Sequence, residues 1–183
     1  PLPLMIQKLN SFRLPVLFFF LVLCSSACDD TSHSHTDKKI FRYNEAAGVV
    51  NLDPAFSRDQ AHIWVCNQLY NGLVQLDDSL NVKPCIAKSW ETSADGLTYT
   101  FFLRDDVYFH EHPVFDKGTR KVVAEDFVFS FNRLVAPETA SPGSWVFGNV
   151  AREGGKLAVK SVNDTVLQIT LGAPFPPFLG ILS

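Results

Sequence analysis

The chain has 183 residues, 46% of them hydrophobic and 19% charged, a balance that fits one globular domain and excludes a disordered chain. A net charge of −3 and the lack of any basic cluster argue against nucleic acid as a partner. The 16 Phe supply ample core material.

Taken in order, the chain opens on a targeting signal. Lys8 and Arg13 precede residues 14–23, an apolar run of about ten residues, whereas a membrane-spanning helix needs roughly twenty. Cys28 follows Ser26 and Ala27, as a lipoprotein-type cleavage site asks; Cys24 has Leu23 directly before it and fits less well. Ordinary cleavage near Ala27, leaving a freely soluble protein, is the simpler alternative. Residues 1–28 therefore read as a signal peptide with lipidation at Cys28, whose acyl chains would hold the protein at a membrane. Residues 29–39 are polar throughout and read as a flexible tether. Residues 40–183 are the folded part.

That part begins with a predicted strand over 40–43 and a turn over 44–48. Asp53-Pro54 breaks any strand there, because proline forces the preceding residue towards extended geometry. Residues 57–71 have helical spacing, with Ile63, Cys66 and Tyr70 on one face, Asp59 in the first turn and Gly72 as a stop. Residues 73–76 form a strand and 77–81 its turn. A strand over 89–92 pairs with 97–103 as a hairpin across Asp95-Gly96, a dipeptide suited to positive φ. Val123, Phe127, Phe131 and Leu134 recur one turn apart, with Glu125, Asp126, Asn132 and Arg133 opposite, which predicts an amphipathic helix. Residues 137–143 are a loop that delivers Trp145 and Phe147. Residues 157–162 and 165–171 straddle Asn163-Asp164 as a second hairpin, with Leu167, Ile169 and Leu171 facing inward. The closing run of Pro174, Phe175, Pro176, Pro177 and Phe178 would be an aggregation liability if it were the true C-terminus. The chain reads as the N-terminal fragment of a longer protein.

Seven blocks in order carry a resemblance. They are Leu52-Asp53-Pro54; Leu69-Tyr70-Asn71-Gly72-Leu73; Pro84 with Ala87-Lys88-Ser89-Trp90; and Asp95 to Phe101. Leu103-Arg104 with Phe109-His110, Ala124 to Ser130, and Arg133-Leu134 complete the set. In these the chain resembles the family-5 extracellular solute-binding proteins, the peptide-, oligopeptide- and nickel-binding subunits of bacterial ABC importers. Three departures stand out. Asn71 replaces the usual Glu, Val123 replaces a helix-capping Thr, and His112 falls where an Asp-Gly turn is usual. Loss of the cap should weaken the helix start by about 1 kcal/mol unless Thr119 or Asp126 compensates.

The resemblance implies an α/β, two-lobed fold of the type II periplasmic-binding-protein kind, with part of the first lobe and its small extra domain present here. It implies capture of peptides outside the cytoplasmic membrane and delivery to the permease subunits of an ABC importer. No catalysis and no cofactor are expected, and the protein is expected to be a monomer in the cell envelope, periplasmic or extracellular and lipid-anchored. By position, the family's peptide-contacting segments fall on Ser57, Arg58 and Asp59 and on Gly143, Ser144 and Trp145. A charged pair suits peptide termini, and Trp offers a flat apolar wall with one donor. The blander alternatives are that Arg58 and Asp59 simply begin a helix and that Trp145 is core. Rival functions are a metal- or metal-chelate-binding lipoprotein of the same fold, and a secreted hydrolase with catalytic residues beyond Ser183.

Other constellations carry less. His33/His35 and His110/His112 are His-x-His pairs without the fixed geometry a metal site needs, so no metal is assigned. Cys66 and Cys85 read as small buried hydrophobes in preference to a disulfide. Asp77-Asp78, Asp105-Asp106 and Glu125-Asp126 are sequence neighbours whose side chains diverge, so none forms an acid/base pair. No Ser-His-Asp set, phosphate loop or zinc-spaced cysteine set is present.

Overall fold

The computed structural model describes residues 40–46 and 48–183. The expected signal peptide, Cys28 and the expected tether lie outside the described residues. The chain divides into two units at Asn44/Glu45. In the first, the described residues 40–44 have irregular backbone, so the strand expected over 40–43 is absent.

The second unit is built on a four-stranded antiparallel sheet of order β3-β4-β8-β7, made of β3 (Ala87–Thr92), β4 (Thr98–Leu103), β7 (Val159–Asn163) and β8 (Val166–Thr170). Strict alternation explains it. In β4, Tyr99, Phe101 and Leu103 point into the core, and in β8 Leu167 and Ile169 do the same. The register sets Tyr99 opposite Ile169 and Phe101 opposite Leu167, so the buried side chains meet across the strands. The hairpin over β3 and β4 forms as expected, closed by a turn in which Gly96 has φ +72° and donates to the Ser93 carbonyl. The second hairpin is shifted by one residue. Asn163 pairs with Val166, so the loop is Asp164-Thr165, and the Asn163 side chain accepts from the Thr165 N–H at 2.9 Å. The predicted strand over 157–162 is in fact two, β6 (Lys156–Leu157), paired with β5 (Arg152–Glu153), and then β7.

Helix α2 (Ala124–Val135) packs on β7 and β8 through Ala124 and Phe127. Phe131 carries the contact on to Phe147, with ring centres 4.6 Å apart. Val123 is the N-cap residue and its side chain has no acceptor. Asp126 compensates: its carboxylate accepts from the Val123 N–H at 2.8 Å and is held by Arg120 at 2.9 and 2.5 Å. Arg120 also lies over the Phe109 ring, 4.5 Å from its centre, which ties the remodelled loop to the helix start. Thr119 is used elsewhere, donating to the Phe109 carbonyl.

Helix α1 (Gln60–Leu69) is shorter than expected at both ends. Asp59 is its N-cap rather than a first-turn residue, and Tyr70, in extended geometry, ends it before Gly72. Of the predicted inner face only Cys66 is buried; Ile63 and Tyr70 are 41% and 51% exposed. The described residues place no layer over that face. Strands β1 (Val74–Leu76) and β2 (Val82–Pro84) pair through the Asp77–Asn81 turn. The C-terminal run folds as a short helix α3 (Phe178–Ile181), and Phe178, 1% exposed, packs on Tyr99 with ring centres 5.1 Å apart.

Candidate functional site

Two segments far apart in sequence form the candidate site. The first begins at Asp53, whose side chain accepts from the Ala55 N–H at 3.0 Å and starts a 3-10 turn, Pro54–Phe56. Proline at the first position of that turn loses no bond, because its nitrogen has no hydrogen to donate. The turn hands the chain to Ser57, Arg58 and Asp59. The second segment is the loop after α2, whose Ala140 has φ +48°. A side chain in that region costs about 1 kcal/mol, so the conformation must be held from outside.

Ser141 holds it. It is 7% exposed, and its Oγ donates to the Ala55 carbonyl at 2.5 Å while accepting from the Gly143 N–H at 3.1 Å. One hydroxyl thus fastens the loop to the first segment. Between them lies a cleft of about 430 Å³, walled by Phe56, Arg58, Asp59, His62, Ala140 and Pro142, a size within the range of small-ligand sites.

Within the cleft the charges are used unequally. The Nδ1 of His62 lies 2.7 Å from both Asp59 carboxylate oxygens, so it carries the proton and donates. The other ring nitrogen accepts from the Val50 N–H at 3.4 Å. Asp59 accepts in addition from the His62 backbone N–H at 3.1 Å as the helix cap. The His62 ring, then its backbone N–H, holds the Asp59 carboxyl below its ordinary range. Arg58 makes no hydrogen bond or ion pair among the described residues.

Of the six residues expected at the site, Arg58 and Asp59 line this cleft. Gly143 borders it through its bond to Ser141. Ser57 turns to the helix, with Oγ 3.1 Å from the Cys66 sulfur. Ser144 and Trp145 form a 3-10 turn with Val146 and Phe147, outside the cleft wall. Trp145 is 68% exposed and so is not a core residue. His62, Phe56 and Pro142 were not singled out by the sequence. The spacing of Asp59 and His62, three apart at a helix start, is the one local signal that marks them as neighbours.

Two further clefts lie among the described residues. One of about 250 Å³ lies between the end of α1, residues 107–110 and α2, and is lined by Tyr70, Tyr108 and Phe127. One of about 770 Å³ lies along the outer face of α2, lined by Phe129, Arg152 and Lys156. Neither contains any of the six residues. His112 is spent on its own turn, where Nδ1 accepts from the Val114 N–H at 3.1 Å. Among the described residues no three His, Cys, Asp or Glu side chains gather as a metal site. Cys66 and Cys85 are both free thiols.

Comparison with known proteins gives this geometry a context. Residues 81–183 match the family model described as "Bacterial extracellular solute-binding proteins, family 5 Middle". A dipeptide-binding protein of Lactococcus lactis is 31% identical over 157 residues, covering 81% of this chain and 27% of that protein. The structure of the Escherichia coli murein tripeptide-binding protein MppA matches with a TM-score of 0.61 and 32% identity, covering 70% of this chain and 26% of that one. NikZ from Campylobacter jejuni, solved in complex with Ni(L-His), matches with a TM-score of 0.59 and 32% identity, covering 74% of this chain and 24% of that one. The chain thus spans about a quarter of the length of these relatives. The fold is that of part of a two-lobed α/β protein of the type II periplasmic-binding kind.

Proposed function

The chain belongs to the bacterial extracellular solute-binding proteins of family 5, and from that premise we propose that the protein captures peptides outside the cytoplasmic membrane and delivers them to the permease of an ABC importer. The observation that carries this reading is the match over residues 81–183, set beside relatives whose names specify dipeptides, oligopeptides and murein tripeptide. The cleft between residues 56–62 and 140–142 supports it, because Arg58 and Asp59 of the first expected segment line it and Gly143 of the second is bonded to the Ser141 beside it. Ser57, Arg58, Asp59, Gly143, Ser144 and Trp145 are proposed as this chain's share of the ligand surface. Closure of a second lobe over the cleft is driven by the ligand's better contacts in the closed form.

The protein acts by binding and release, without catalysis, as a monomer tethered to the membrane by lipid on Cys28. Palmitate labelling that disappears in Cys28→Ala supports the anchor; labelling that persists moves it elsewhere.

Calorimetry and thermal melting of the complete gene product with di- to pentapeptides test capture. Saturable binding is expected, with a stabilisation of about 2.7 kcal/mol when free peptide stands at a hundred times Kd. Absence of both binding and stabilisation across the peptide set refutes the reading. The likeness to NikZ favours, as a second reading, a nickel chelate in the same cleft, and nickel with L-histidine in the same assay decides between them. Turnover of the peptides would instead point to a hydrolase.

A further inference from the structure

The two charges at the start of α1 look equivalent in sequence and are not equivalent in the fold. Asp59 is committed: both its oxygens face the His62 Nδ1 at 2.7 Å, and one also caps the helix. Two N–H groups of His62 thus already occupy part of the acceptor capacity of Asp59. Arg58, beside it on the same cleft wall, has none of its donors engaged among the described residues. The other cationic side chains that form ion pairs, Lys83, Arg104, Arg120 and Arg133, are each matched to a carboxylate. The cleft therefore presents one guanidinium with unengaged donors beside a carboxylate already bonded to His62. A guanidinium presents a planar fork that matches a carboxylate with two parallel hydrogen bonds. Phe56, 40% exposed, and Pro142 give that fork an apolar flank, which strengthens a charge-assisted bond by thinning the water around it.

We infer that Arg58 binds a carboxylate of the ligand in this cleft, and that Asp59 serves as a positioning residue whose bonds to His62 fix the helix start beside it. This rests on peptide capture as proposed above and narrows it, since the cleft then selects for a peptide that presents a carboxylate. That group is either the free C-terminus or an acidic side chain.

The test uses the complete gene product and three probes: tri-alanine, its C-terminal amide, and the amide of Ala-Glu-Ala. Wild-type protein is expected to bind at least one carboxylate-bearing probe about tenfold or more tightly than tri-alanine amide. Tighter binding of tri-alanine identifies the C-terminus as the source, and of Ala-Glu-Ala amide the side chain. Arg58→Gln is expected to abolish the preference while leaving the melting temperature unchanged. Arg58→Lys should retain part of it, because a point charge remains. A preference that survives in Arg58→Gln, or wild-type protein that binds all three alike, overturns the role of Arg58 and leaves peptide capture standing. Failure of wild-type protein to bind any of the three overturns both.

Discussion

Asp53 and Arg133, eighty residues apart, meet in a two-pronged ion pair: the guanidinium donates from its two terminal nitrogens to the two carboxylate oxygens at 3.1 and 2.5 Å. The same carboxylate also accepts from the Ala55 N–H. A single side chain thus starts the turn that leads to the candidate cleft and fastens that turn to α2. The Leu-Asp-Pro block and the Arg-Leu block are therefore one structural unit.

The pair has a pH signature. The hydrogen bond from Arg133 holds the Asp53 carboxyl below its ordinary value, outweighing the opposite pull of partial burial. With the folded value depressed, the unfolded chain binds more protons in acid, so the stabilisation is present above about pH 4 and is lost as pH falls through the folded value. Asp53→Asn keeps an acceptor for Ala55 and removes the charge. Its melting temperature should lie below wild type at neutral pH, and the gap should close as pH falls below about 4. A gap that stays constant through that range would show that the pair contributes nothing through its charge.

Ser141→Ala leaves the Ala55 carbonyl and the Gly143 N–H without their partner at a buried site. Urea unfolding should show a loss of about 1–3 kcal/mol. Peptide affinity should fall with it, because the loop that walls the cleft is no longer fastened. Unchanged affinity would mean that the 140–143 loop takes no part in binding.

Val123→Thr supplies the acceptor that the α2 cap lacks, while Asp126 already provides the reciprocal bond. A gain of about 0.5–1 kcal/mol is expected in the same assay. A neutral or negative change would indicate that the helix start is already saturated by Asp126.

The thiols differ in access. Alkylation followed by peptide mapping should label Cys85 in the native protein and Cys66 only after unfolding, with no change of mass on adding reductant. A 2 Da gain on reduction, as a disulfide requires, would overturn this.

Sequence made the sheet and α2 legible because their patterns are local and periodic. Tyr99, Phe101 and Leu103 alternate, and Phe127 and Phe131 recur at one turn, so burial follows from spacing alone. The same reasoning misplaced Ile63 and Tyr70, which follow the helical period but meet no partner layer among the described residues. The apolar stripe on α1 says that something covers it, not what. The site was legible in part. Arg58 and Asp59 were reached only through the resemblance, and the Ser141 clasp joins positions 86 residues apart, which no local pattern reveals. The commitment of Asp59 to His62 depends on rotamers that a spacing permits without requiring.

The order of strands carries a consequence for how the molecule is made. Strand β4 is flanked by β3, its neighbour in the chain, and by β8, which aligns Thr170 with Thr98. A growing chain that has reached the end of α2 therefore holds only β3 and β4 of this sheet, with Tyr99 and Phe101 lacking their β8 partners Ile169 and Leu167. The helix, which packs on β7 and β8, has no strand to rest on. Sheet and helix both depend on the last hairpin, which supplies β7 and β8 together.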